Sequence, residues 1–311
     1  MLVYVVRKLL YTIPIILGVS LIIFMLFNMV GGDPTDIMLG RHATLQQKVE
    51  LSHELGLDRP LPQQYLSFVG QIVTFDFGRS YSTKQKVSDM ILRGAPASLS
   101  LAVPAFLIET LAAIIIALIV SFYRGSWVDR SIVVACVIGM SVSALAYILF
   151  GQYFFAYKMG WFPISGYSDD PVERFQYVAL PALIWVAVGL GLNVRVFRTF
   201  VLDEIGNDYV RTARAKGLAE GVVLFKHVLK NASIPILTYT VIEIPFLITG
   251  SFLLESFFGI PGIGSITIDA INNADFPVIK AMTTIGTLLF IGGNLLTDVL
   301  YSVVDPRVRL S

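Results

Sequence analysis

The side chains that could carry acid–base, nucleophilic or metal chemistry are few here, and their spacing argues against all three. His42, His53 and His227 are scattered with no H-E-x-x-H spacing, and each reads as a surface or loop residue. Cys136 is the only cysteine and sits inside an apolar run, so neither a disulfide framework nor a cysteine metal site fits within one chain. No G-x-x-x-x-G-K-[ST] phosphate loop occurs. What stands out instead is charge inside apolar sequence. Glu243 and Glu109 lie near the middle of long hydrophobic runs. Asp298, Glu255, Arg195 and Arg198 lie nearer the ends of theirs, within reach of an interface. An ionisable group in hydrocarbon costs at least about 2.5 kcal/mol, so it must face protein or water. Glu243, and after it Glu109, are therefore candidates to line a polar cavity that meets a cationic group on a substrate. The plainer alternative is that they bond to neighbouring helices.

The elements that must position these groups follow from hydropathy. The chain has 311 residues, 55% hydrophobic and 14% charged, against about 25% charged in a soluble domain. Six runs are each long enough to cross a bilayer, which takes about 20 apolar residues: 9–30, 98–123, 131–157, 175–194, 231–258 and 281–304. The expectation is an all-α integral membrane protein of six transmembrane helices. The first run follows Arg7 and Lys8, but it is too long for a usual signal peptide and ends in no A-x-A site, so it reads as a retained anchor. Placing the N-terminus in the cytoplasm puts 13 of the 23 Lys and Arg inside. Seven of the other ten fall in the long 31–97 stretch, which the positive-inside rule discounts. Both termini are then cytoplasmic. The net charge of +1 excludes a polybasic nucleic-acid binder.

Residues 31–97 form an extracytoplasmic subdomain between the first two spans, with seven basic and seven acidic residues. Leu45 to Leu55 has helical spacing, Gly56 ends that helix, and the prolines at 60 and 62 interrupt the chain before Gln63–Phe75 resumes it. A small α-rich cap is expected. The remaining divisions are 1–30 for the N-terminus and first span, 98–304 for the transmembrane core, and 305–311 for the tail. Pro104, Pro181 and Pro245 interrupt spans, which permits bends and close packing.

Within the core, 201–232 is a cytoplasmic loop. It holds Arg211, Arg214, Lys216, Lys226 and Lys230 within 20 residues. Its first part, about 208–218, is free of proline and carries small residues (Thr212, Ala213, Ala215) before Gly217. That pattern predicts a short, slim helix stopped at Gly217, suited to docking against another protein.

DYVRTARAKGL followed by HVLKNASIPILT resembles the conserved cytoplasmic loop of permease subunits in binding-protein-dependent ABC importers. Arg211-Thr212-Ala213 stands at the family's Glu-Ala-Ala position and Gly217 at its glycine. Arg211, His227 and Lys230 depart from the general pattern. The dipeptide/oligopeptide/nickel branch is the best match, and it also fits YVVRKLLYTIP at 4–14, ELGLDRP at 54–60, FDFGRS at 75–80, FFGIPGIG at 257–264 and DVLYSVVDPRVR at 298–309. The resemblance implies a type I ABC importer permease fold in a bacterial inner membrane. It implies a second homologous permease, two ABC ATPase subunits and an extracytoplasmic binding protein as partners, with ATP and Mg held by the ATPases. This chain would bear no cofactor and no catalytic residue. Arg211, Thr212, Ala213, Arg214, Ala215, Lys216 and Gly217 would form the ATPase-coupling helix, with Arg211, Arg214 and Lys216 meeting acidic rim residues and Ala213 and Gly217 permitting close seating. Contact of these basic residues with anionic lipid is the alternative. Peptides are the expected cargo, with nickel chelates, glutathione or oligosaccharides as alternatives. A stand-alone proton-coupled carrier using Glu109, Glu243 and Asp298 is the rival reading, and a membrane enzyme is disfavoured for want of any reactive constellation.

Overall fold

The computed structural model describes residues 2–30, 35, 39, 44–54 and 56–304, and among them it is built from helices. The chain begins with α1, Leu2–Val30, an apolar helix of 29 residues. Two short helices follow, α2 (Leu45–Glu54) and α3 (Leu61–Thr74). Pro60 and Pro62 sit before and within the first turn of α3, where their missing N–H groups cost nothing. Next come α4 (Val87–Phe122), α5 (Trp127–Ser141), α6 (Ala144–Gly151) and a π-type segment at Gln152–Lys158. The second half holds α7 (Pro171–Ile205) and α8 (Asp208–Ala215). A tight turn and a π-type segment, Val223–Val228, then lead into α9 (Leu229–Thr249). It closes with α10 (Phe252–Phe258), α11 (Ile263–Asn272) and α12 (Phe276–Val304). The 31–34 segment, His42 and residues 305–311 fall outside the described residues, as does the side chain of Asp298.

The spine is the pair α4 and α7. At 36 and 35 residues and about 1.5 Å per residue, each exceeds the roughly 30 Å hydrocarbon core. They run parallel. The early part of α4 (Ala97, Leu101, Ala105) packs with the early part of α7 (Val178, Leu180, Ala182), and the late parts (Ala117, Leu118 with Phe197, Val201) pack together as well. The chain between two parallel helices must return to the starting side. It does so through α5 and α6, which meet at 91° after Ser141. The uninterrupted third span expected over 131–157 is thus a broken one. Ser143 causes the break by capping the new helix, its hydroxyl accepting the Ala146 N–H at 3.3 Å.

Other boundaries differ too. The second helix begins at Val87 rather than near Ser98, so the division at residue 97 falls inside a continuous helix. The fifth run does not continue to Phe258. It stops at Thr249, and Gly250 takes φ +74° before α10 starts. Helices α10 and α11 then turn 86° against each other as a bent pair. Among the described residues four helices are long and apolar enough to cross a membrane, or six with each bent pair taken as one span. In addition α9, with 21 residues, is about as long as the hydrocarbon core is thick.

Glu255 explains the bend. The expectation that it reaches an interface is overturned, because it is fully buried. Its Oε1 accepts the Ser251 N–H at 3.0 Å, and its Oε2 accepts the N–H groups of Gly264 at 2.7 Å and Ser265 at 3.2 Å. Ser98 of α4 hydrogen-bonds to the same carboxylate while accepting the Ile263 N–H at 2.8 Å. A carboxylate is thereby seated on the first turn of α11, where exposed N–H groups and the helix dipole favour it. Glycine is required around it. A Cβ at residue 250 or 262 would lie 2.2 Å from a Glu255 oxygen. A second clamp holds α12. Buried Asp275 accepts from the Tyr81 N–H at 2.9 Å, the Ser82 hydroxyl at 2.7 Å and the Ser80 hydroxyl, tying its helix start to the turn before α4.

Replacing Glu255 with Ala leaves these N–H groups without an acceptor, at about 1–3 kcal/mol each. The expected outcome is a large fall in thermal unfolding temperature of the detergent-solubilised protein. An unchanged melting curve would show that the carboxylate does not organise this region.

Candidate functional site

Two regions carry the residues singled out from the sequence. The first is a cavity of about 620 Å³ bounded by α4, α7, α9 and α10, with Phe106, Trp185, Leu247 and Phe252 among its walls. Glu109 and Glu243 both line it, so two carboxylates from separate runs converge on one space. No Lys or Arg is among its described lining residues.

Glu109 is only 4% exposed. Its Oε1 accepts from Asn193 Nδ2 at 2.7 Å, and the Trp185 indole N–H also donates to it. Both donors come from α7. Gly189, on the same helix, makes room: a Cβ there would lie 1.9 Å from Glu109 Oε1. Glu243 is less enclosed, and Tyr239, one turn earlier on α9, hydrogen-bonds to it. Glu109 is therefore partly structural, as the plainer reading of the sequence had it, and Glu243 is the freer of the two. Sequence reading missed the supporting residues Asn193, Trp185 and Tyr239. A polar Asn next to the end of the fourth apolar run was the one available signal.

The second region is α8 and what it rests on. Its inward face is Val210 and Ala213, both buried with Ala117, Phe197, Val201, Val223, Leu224 and Val228. Ala213 therefore does not serve close seating of a partner. It is small because it packs on the chain's own core. Arg211, Thr212, Arg214, Ala215, Lys216 and Gly217 are exposed. The helix ends at Ala215, and Gly217 follows at φ +77° with open space where a side chain would stand, so the glycine is required by the backbone turn. Arg214 is engaged within the chain: its Nε donates to Glu220 at 3.0 Å and its terminal nitrogen at 2.5 Å. The hydrogen bond from Arg214 holds the Glu220 carboxyl below its ordinary value, against a smaller opposing effect of burial. Arg211 faces Asp208 at 3.4 Å, with both side chains well exposed. Lys216 has no ion pair among the described residues. Nearby, Arg198 reaches inward to Asp129, bonding its two oxygens at 2.9 and 3.1 Å, which pins α7 to the start of α5.

Helix α8 is thus a charged helix whose apolar face packs against the ends of the two longest helices, with its other face exposed. Comparison with known proteins shows the family. The model for the inner membrane component of binding-protein-dependent transport systems matches residues 109–310. The N-terminal model for membrane components of such systems matches residues 1–102. This chain belongs to that family. It is a membrane-embedded permease subunit of an ABC importer, one that works with a binding protein and ATPase subunits. A di/tripeptide transport system permease protein of Pseudomonas aeruginosa is 34% identical over 333 residues, spanning 99% of each chain. An oligopeptide transport system permease protein of Bacillus subtilis is 34% identical over 316 residues, or 98% of this chain and 99% of its own. A probable peptide ABC transporter permease protein of Sinorhizobium fredii is 33% identical over 312 residues, again 99% of both.

In this permease a Gly189→Ala change drives a methyl group into the Glu109 carboxylate. It should lower thermal stability on its own and cost little once Glu109 is already Ala, because the obstructed group is gone. Additive losses in that double-mutant cycle would refute the contact.

Proposed function

We propose that this permease passes di- or oligopeptides from an extracytoplasmic binding protein across a bacterial inner membrane, with both termini in the cytoplasm. The observation that carries the reading is the end-to-end likeness to relatives named for di/tripeptide and oligopeptide transport. The cavity suits the cargo. A peptide presents one cationic terminus and side chains of every polarity. Two carboxylates in a largely apolar space can draw in an ammonium group while the aromatic walls accept varied side chains. Broad acceptance then falls to the cavity, and selectivity to the binding protein.

The power stroke enters through α8. One ATPase receives the exposed face of Arg211, Thr212, Ala215 and Lys216, and a second ATPase engages a homologous permease beside this one. ATP and Mg are held by the ATPases, and this chain performs no hydrolysis. Closure of the ATPases displaces α8. The buried Val210 and Ala213 transmit that displacement to α4 and α7, whose upper parts wall the cavity.

Purification of the tagged permease from native membranes, with its companions identified by mass spectrometry, tests this assembly. A related permease and phosphate-loop ATPases should co-purify, and Gly217→Val, which opposes the left-handed turn, should release the ATPases. If the chain purifies alone, coupling through α8 fails, and a carrier that moves protons through Glu109 and Glu243 takes its place.

Uptake of radiolabelled dipeptides tests the cavity. Glu243→Gln should weaken transport of Lys- and Arg-containing peptides most, by roughly ten-fold, the scale of losing one charge-assisted hydrogen bond of about 1.5 kcal/mol. Equal uptake of acidic, neutral and basic peptides by wild type and variant would remove Glu243 from the pathway.

A further inference from the structure

Lys280, four residues into α12, sits over two aromatic rings at once. Its ammonium lies 3.9 Å from the centroid of the Phe68 ring and 5.4 Å from that of Phe24. Those rings are themselves stacked, 6.2 Å apart at 25°. They bring α1 and α3 together on one side of the ammonium. Among the described residues no oxygen accepts a hydrogen bond from it and no carboxylate pairs with it. The rings satisfy one face of the ammonium, and its remaining N–H donors are left for something else.

Two polar cavities, of about 320 and 220 Å³, share Lys280 as a common wall. Arg59 lines the first and Arg79 the second, and no Asp or Glu is among the described residues lining either. Among the described residues, three cations thus line two neighbouring cavities and no carboxylate does. A half-enclosed ammonium with no counter-ion among the described residues is costly, and a built cleft of this kind calls for an anion.

The surroundings identify the anion's source. One wall is α1, which packs chiefly on α12 and α3 and leaves Leu10 and Ile22 more than 60% exposed. A second wall is α3, which turns Gln64, Ser67, Phe68 and Gln71 toward the cleft. An apolar helix long enough to span a membrane, α1, thus borders the cleft. Lys280 itself lies close to the start of another such helix, where an interface is expected.

We propose that the Lys280 cleft binds the phosphate of an anionic phospholipid, with Arg59 and Arg79 at its two mouths and the acyl chains lying along α1. The bound lipid supplies the missing negative charge and joins α1, α3 and α12, which otherwise meet through the Phe24–Phe68 stack.

The test uses the purified importer complex in nanodiscs of phosphatidylcholine containing phosphatidylglycerol, with retained lipid counted by native mass spectrometry. Wild type should retain phosphatidylglycerol in preference to phosphatidylcholine. Lys280→Gln should reduce that retention roughly five-fold, the scale of one basic charge at an anionic surface, whereas Lys280→Arg should preserve it. Arg59→Gln, on an exposed side chain, should reduce it by less and without affecting assembly. Equal phosphatidylglycerol retention by wild type, Lys280→Gln and Arg59→Gln would overturn the proposal. So would displacement of the bound anion by millimolar inorganic phosphate, which would make it a soluble ligand rather than a lipid.

Discussion

One buried carboxylate organises the end of the molecule where the chain folds back on itself. Glu255 gathers N–H groups from residue 251 and from the first turn of α11, and it binds the Ser98 hydroxyl of α4. Charge buried in a medium of low dielectric is tolerated only when its hydrogen-bonding capacity is filled. Here the filling comes mainly from backbone amides, which are available only because α9 stops at Gly250 and α11 begins anew at Ile263. The carboxylate and the chain breaks therefore require each other. The three glycines at 250, 262 and 264 are the space that this reciprocity needs. Gly250, Ser251 and Phe252, which flank this knot, also line the cavity that holds Glu109 and Glu243, so the knot fixes one of its walls.

From that fixed wall the structure extends as two parallel levers. Helices α4 and α7 contribute Glu109, Trp185, Val188 and Gly189 to the cavity. Farther along, the same two helices contribute Ala117, Phe197 and Val201 to the cluster that seats α8. A core packed at this density is not continuously deformable. Helix α8 is therefore packed into one body with the far ends of α4 and α7. The Asp129–Arg198 pair ties α5 to the same body.

Periodicity and hydropathy made the helical class, the long apolar runs and the short charged helix before Gly217 legible. Gly217 ends α8 at a left-handed turn, and the prolines at 60 and 62 precede and open α3, for local reasons that residue type expresses directly. Tertiary causes escaped. Nothing local marks the 91° turn after Ser141, because a serine inside an apolar run is as compatible with a helix interior as with a cap. The fifth run reads through to residue 258 on hydropathy alone, yet Ser98, which binds Glu255 and accepts the Ile263 N–H from 165 residues away, helps to stop it. Ala213 shows the same limit from the other side. Its small size is legible in the sequence, but which surface needs that smallness depends on Phe197 and Val228, and those are contributed by other segments.

The ionisable groups within the membrane region can finally be ranked by how fully the protein answers them. Glu255 is answered by backbone amides and a hydroxyl, Asp129 by a guanidinium and the Gly125 N–H, and Glu109 by an amide and an indole. These partners fix the groups in place, and of the three only Glu109 also lines the cavity between the helices. Glu243 has one tyrosine, and Lys280 has two aromatic rings. An incompletely answered charge costs free energy in the isolated chain and persists only where something outside the chain completes it. Glu243 opens on the cavity beside α4 and α7, where the proposed cargo completes it in passing. Lys280 opens on separate cavities beside α1, where the proposed lipid completes it and stays. On these proposals the same desolvation physics separates a transient partner from a resident one.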